Sequence, residues 1–160
     1  MRILGALATA GISVWVDGGW GVDALLGEQR RAHDDLDLVA ALEDVPTLQR
    51  VIKGLGYDHQ RGDAPRSFEL VDPRGRQVDV HPVDLDEHGN GHYRMQNGGI
   101  WIYPGDGLAG GGVIGGRPVR CLTPELQMRV HTGYELKPKD HDEIRALRER
   151  FGVAPPDGYV

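Results

Sequence analysis

A chain of 160 residues with 39% hydrophobic side chains matches one compact domain, spanning 1–160, and leaves little room for a second independent core. Its 18 basic against 24 acidic side chains give a net charge of −6, which disfavours a nucleic-acid partner and suits a cationic small molecule as well as plain solubility. The single cysteine, Cys121, excludes an intrachain disulfide and points to a reducing, cytoplasmic compartment, and no apolar run approaches the roughly 20 residues that a membrane span needs.

The opening "MRILGALATAGI" carries one basic residue and runs straight into strand-like sequence, so it reads as a first helix rather than a leader. "SVWVDG" reads as a strand ending at Asp17, and "GWGVDALLGE" as a short helix closed by Gly27. As a strand, "DDLDLVA" puts Leu36 and Leu38 on one face and Asp35, Asp37 and Val39 on the other. A helix capped by Asp44 then places Val45, Leu48, Val51, Ile52 and Leu55 on one side and stops at Gly54 or Gly56. "SFELVD" and "RQVDVHPV" flank "PRG" as a β-hairpin turning near Pro73 and Gly75, with Asp79 in its second arm.

The glycine-rich stretch 86–116 reads as a substrate-side loop in which Trp101, Ile102 and Tyr103 form a short strand or anchor. "GRPVRCL" returns as a strand, Thr123 caps a helix running to about Tyr134, and a last helix runs from Pro138 to a stop at Gly152. The tail from Val153 is expected to be loose or irregularly docked. The sum is an α/β (α+β) fold: a small mixed β-sheet flanked by helices, with a helical C-terminal part over about 123–152.

Two aspartates two positions apart on a strand project side by side, and their repulsion raises a pKa or demands a cation. Hard carboxylate oxygens select Mg²⁺ or Mn²⁺, which keeps places for water and substrate phosphates, so Asp35 and Asp37 form half of a metal site. Asp79 completes it if its strand lies beside theirs. An acidic pair on a strand is also common on solvated faces, and a bare DxD carries little weight. Gly18 and Gly19 add weight: at a strand-to-helix turn their backbone N–H groups offer a phosphate cradle.

The run "GGWGVDALLGEQRRAHDDLDL", followed by a third aspartate on a later strand, resembles the nucleotidyltransferase superfamily that includes DNA polymerase beta and kanamycin nucleotidyltransferase. Within it the run is similar to the small antibiotic-modifying branch, the aminoglycoside and lincosamide nucleotidyltransferases. "GVIGGRPVRC" is similar to a segment of aminoglycoside adenylyltransferases. The likeness extends from about Val14 to Phe151.

The resemblance implies the nucleotidyltransferase fold and transfer of AMP from ATP, or of another nucleotide from its NTP, to a hydroxyl of a small acceptor. It places the phosphate-binding glycines at Gly18 and Gly19, the paired metal ligands at Asp35 and Asp37, and a third ligand and base at Asp79. Arg31 and Lys139 fall where basic residues face the triphosphate, although Arg31 could equally pair with Glu28 and Lys139 could be a solvated helix terminus. His33 and His81 are expected to support the ligands beside them, Trp101 to meet substrate, and Asp17 and Asp23 to serve as turn and helix caps. Rival readings are nucleotidyl transfer to a protein or tRNA, and a nucleotide-binding module without turnover. Larger aminoglycoside enzymes carry a helical second domain, so a homodimer in which a neighbour lends a wall is expected to complete the acceptor pocket.

Overall fold

The computed structural model describes residues 2–156 and 159. Among these, five helices and nine strands form one mixed sheet with helices on its flanks. β1 (Val14–Asp17) pairs antiparallel with β2 (Asp35–Ala41), and β2 pairs parallel with β5 (Gln77–Leu85). β3 (Asp58–Gly62) and β4 (Phe68–Val71) extend the sheet beyond β5, while β9 (Arg117–Cys121) and β8 (Gly110–Ile114) extend it beyond β1. β6 (Gly91–Arg94) pairs with the far half of β5, and β7 (Ile100–Tyr103) pairs with β6.

The alternation in β2 separates two cores. Leu38 and Ala40 join Leu48 and Ile52 of α3 (Val45–Gly54) and Leu7 of α1 (Arg2–Thr9) on one face. Val39 and Trp15 pack on the other face with Leu122, Tyr103 and Leu126. Each fully buried leucine of the first cluster contributes roughly 1.5–3 kcal/mol of transfer free energy. α2 (Gly18–Leu26), α4 (Pro124–Arg129) and α5 (Pro138–Phe151) meet in a third cluster around Val22, Met128, Ile144 and Leu147.

Three expectations need correction, and one strand is new. The 86–116 segment is not a loop: β7 bears out the short strand at Trp101–Tyr103, and β6 and β8 flank it, because the glycines permit backbone contact and a Cβ on Gly112 would collide with the Ala24 carbonyl of α2. α4 ends at Arg129 rather than near Tyr134, since the Thr132 hydroxyl donates to the Arg129 carbonyl and Gly133 turns the chain at φ +84°. Asp44 closes a 3-10 turn, Leu42–Asp44, in a helical conformation and makes no side-chain cap bond. β3 was not anticipated; its five residues are all exposed and show no apolar alternation. In the tail, Val153 and Tyr159 pack against the α2–α5 cluster, and 157, 158 and 160 lie outside the described residues.

Candidate active site

The register of the sheet aligns carboxylates across neighbouring strands. Asp17 is paired with Asp37, Asp37 with Asp79, and Asp79 with Glu69 of β4, so four acids form one row on one face. Asp35 stands two residues before Asp37 on that face. Without cations this row is costly. Burial, followed by the charges of Asp37 and Glu69, pushes the Asp79 carboxyl up to about 6, although the bond from Gln77 opposes the shift.

Asp17 closes β1 and caps α2, accepting a 2.6 Å hydrogen bond from the Gly18 amide. Burial, with the charge of Asp37 adding to it, pushes its carboxyl up to about 6 despite the opposing influence of His81. A carboxyl raised in the folded state binds more protons there than in the unfolded chain between about pH 4 and 6, so stability falls as pH rises through that window. Without divalent cations, Asp17→Asn is therefore expected to stabilise the protein at pH 7.5 by about 1–2 kcal/mol. Calorimetric melting from pH 4 to 7.5 checks this, with the gain shrinking toward pH 4.

The glycine pair explains its own proximity to the acids. Gly18 sits at φ +59°, and a Cβ there would collide with the Asp37 carboxylate. A Cβ on Gly19 would come within 2.5 Å of Arg31 Nη2 and of His33 Nδ1. The Gly18 amide is already committed to Asp17, so the turn's open donor is the Gly19 amide in the first turn of α2.

Asp17, Gly18, Gly19, Arg31, Asp35, Asp37 and Lys139 all line one cavity of about 420 Å³. Its outer wall is Tyr93, Met95, Trp101, Tyr103 and Val130. Four buried polar side-chain atoms lack a hydrogen-bond partner among the described residues: His81 Nδ1, Trp101 Nε1, Gln127 Oε1 and His131 Nε2. All four residues line this cavity. Unpaired buried polar atoms are costly, and their concentration marks a place built for a polar occupant.

Asp79 is the exception. It stands next to Asp37 in register, but its Oδ1 accepts from Gln77 Nε2 at 2.8 Å and it lines an adjoining cavity of about 390 Å³ with Arg61, Glu69 and Gln96. His81 lines both cavities. Its ring lies 3.7 Å from Asp37 Oδ1, and although burial lowers its pKa, the adjacent Asp37 carboxylate and the charges of Asp17 and Asp79 outweigh that and raise it.

Arg31 pairs not with Glu28 but with Glu143 of α5, Nη2 to Oε1 at 2.6 Å. His33 and Asp23 also differ from expectation. They form a buried pair at 2.5 Å that joins the approach to β2 onto α2, so Asp23 is no cap and His33 turns to Asp23 rather than to Asp35 or Asp37. Trp15 and Trp20 are packing residues: Trp15 Nε1 donates to the Leu108 carbonyl, and Trp20 stacks on His33. Gln127, His131 and Glu143 were missed; nothing local in the sequence marks them, because only the packing of α4 and α5 on α2 brings them to the cavity.

A family described as aminoglycoside-2''-adenylyltransferase matches residues 1–147. The lincosamide resistance protein of Staphylococcus haemolyticus is 29% identical over 137 residues, covering 86% of this chain and 84% of its own. The 2''-aminoglycoside nucleotidyltransferase of Escherichia coli is 31% identical over 120 residues, 75% of this chain, which spans only 63% of that relative's length. The lincomycin-bound lincosamide antibiotic adenylyltransferase LnuA superposes with a TM-score of 0.81 at 28% identity over 92% of both chains. ANT(2'')-Ia in complex with adenylyl-2''-tobramycin shares the fold at a TM-score of 0.75 and 24% identity, over 92% of this chain and 84% of its own.

Proposed function

The chain is a nucleotidyltransferase of the aminoglycoside-2''-adenylyltransferase family, and on that premise we propose that it moves AMP from ATP to a hydroxyl of a lincosamide- or aminoglycoside-like antibiotic and releases pyrophosphate. The observation that carries this reading is the single cavity in which Asp35 and Asp37 face the α2 N-terminus amid unpaired buried polar atoms. The donor set fits Mg²⁺ or Mn²⁺: carboxylate oxygens beside a turn whose lack of a Cβ at Gly18 makes room for Asp37. Bound there, the cation would supply charge neutralisation of the triphosphate and acidify the attacking hydroxyl.

The chain's own residues do the rest. The Gly19 amide and the positive end of α2 hold phosphate oxygens. Arg31, steadied by Glu143, and Lys139 in the first turn of α5 add cationic contacts on the cavity's other side. Asp79, now bonded to Gln77 and lining the adjoining cavity, would complete the cation's carboxylate set beside Asp37 on leaving Gln77 and would take the proton of an acceptor hydroxyl entering from that side. Tyr93, Trp101 and Tyr103 wall the site against water. The same reading places the protein in the cytoplasm, where ATP is available, and makes it a homodimer in which a neighbouring subunit lends a wall to the acceptor pocket. No described helix is long and apolar enough to cross a membrane.

Incubation with ATP, Mg²⁺ and a panel of lincosamides and aminoglycosides tests the function. An adduct heavier by one AMP, seen by mass spectrometry with matching pyrophosphate release, is the expected result; no adduct across the panel contradicts it. Lys139→Ala is expected to raise KM for ATP about tenfold while changing kcat less, as measured by steady-state pyrophosphate release, because it removes a ground-state phosphate contact.

A further inference from the structure

Opposite the aspartate row, the same cavity wall carries a second set of ligand-type side chains. His131, Asp140 and Glu143 are 5%, 5% and 7% exposed, and each offers one ligand atom within 4.8 Å of those of the other two. His131 lies just beyond α4, and Asp140 and Glu143 stand three residues apart on one face of α5.

Each of the three uses one polar atom on an orienting partner and leaves the other open. Asp140 Oδ2 accepts from the Lys137 amide at 2.7 Å, and Glu143 Oε1 accepts from Arg31. His131 Nδ1 meets the Tyr134 hydroxyl at 2.9 Å. That leaves His131 Nε2, buried and unpartnered, 3.6 Å from Glu143 Oε2. The gap is too long for a hydrogen bond but close to the about 3.3 Å that separates two ligands of one tetrahedral cation with bonds of about 2.0 Å. Among the described residues Arg31 is the only arginine or lysine ion-paired to Asp140 or Glu143, and it pairs with Glu143 alone.

We propose that His131, Asp140 and Glu143 form a transition-metal site, selective for Zn²⁺ or a similar first-row dication and separate from Asp35 and Asp37, which fastens α5 to the turn after α4. One imidazole with two carboxylates suits Zn²⁺ better than Mg²⁺, which takes oxygen ligands. The partners Lys137, Arg31 and Tyr134 fix the ligands' orientation, as outer groups do around metal sites. By pinning α5, the cation also sets where Arg31 and Lys139 stand beside the phosphate cradle.

Zn²⁺ binding to the chelator-treated Asp35→Asn/Asp37→Asn protein is the test, read by competition with a chromophoric chelator. Silencing the aspartate pair separates this result from the nucleotidyl-transfer reading. One equivalent per chain is expected, with a rise in Tm, and adding His131→Gln or Glu143→Gln is expected to weaken affinity at least about tenfold and to remove that rise. Should either addition unfold the chain by circular dichroism, Co²⁺ in the parent decides: intense visible bands of low-coordinate Co²⁺ are expected. No bound equivalent in the folded parent, equal affinity in the folded variants, or a Co²⁺ spectrum without those bands overturns the site.

Discussion

Asp37→Asn is expected to lower kcat by about 10³-fold or more, equivalent to about 4 kcal/mol of transition-state stabilisation, while the protein melts no lower than wild type. Asp37 occupies the centre of the acid row, with Asp17 on one side, Asp79 on the other and Gly18 against its carboxylate. The amide keeps the shape and loses the charge that a divalent cation requires. Stability holds because the lost charge is one that repels both neighbours: it contributes to raising the carboxyl pKa of Asp17 and of Asp79. Single-turnover rates beside calorimetric melting check both halves. A variant with wild-type turnover removes Asp37 from the chemistry, and one that unfolds assigns it a structural role instead.

Gly18→Ala is expected to cost both stability and rate. Its φ of +59° is strained for alanine by about 1–3 kcal/mol, which in a chain of this size lowers Tm by a few degrees for each kcal/mol. The new methyl would also displace the Asp37 carboxylate, so kcat is expected to fall about 10²-fold even in the folded fraction. Gly19→Ala meets Arg31 and His33 instead of Asp37, and is expected to act mainly on KM for the nucleotide. Thermal melts with steady-state kinetics separate the two. Equal and small effects at both positions would contradict the packing of the acid against the turn.

Much of this site was legible in the sequence because its chemistry is local. Gly18 and Gly19 follow an apolar strand directly, and Asp35 and Asp37 share a face by simple alternation, so their relation needs only β1 beside β2. The Pro73–Gly75 turn likewise set β4 against β5, and the register then placed Asp79 next to Asp37. The direction of its side chain was not legible, since that depends on the competing bond to Gln77. Nor was the far wall. Arg31 finds Glu143 across 112 residues, a partnership set by α5 docking on α2, whereas the local alternative Glu28 was three residues away. The β8 strand escaped because glycines ordinarily signal loops, and here they serve close contact between helix and sheet.

Convergence of Asp35, Asp37 and Asp79 on one cation beside the Gly18–Gly19 turn is tested most directly by a crystal structure with Mg²⁺ and a non-hydrolysable ATP analogue. The expected result is one cation about 2.1 Å from oxygens of Asp35 and Asp37, Asp79 released from Gln77 toward it, and phosphate oxygens at the Gly19 amide. A nucleotide bound away from the α2 N-terminus, or an Asp79 still held by Gln77 with the cation in place, would contradict it.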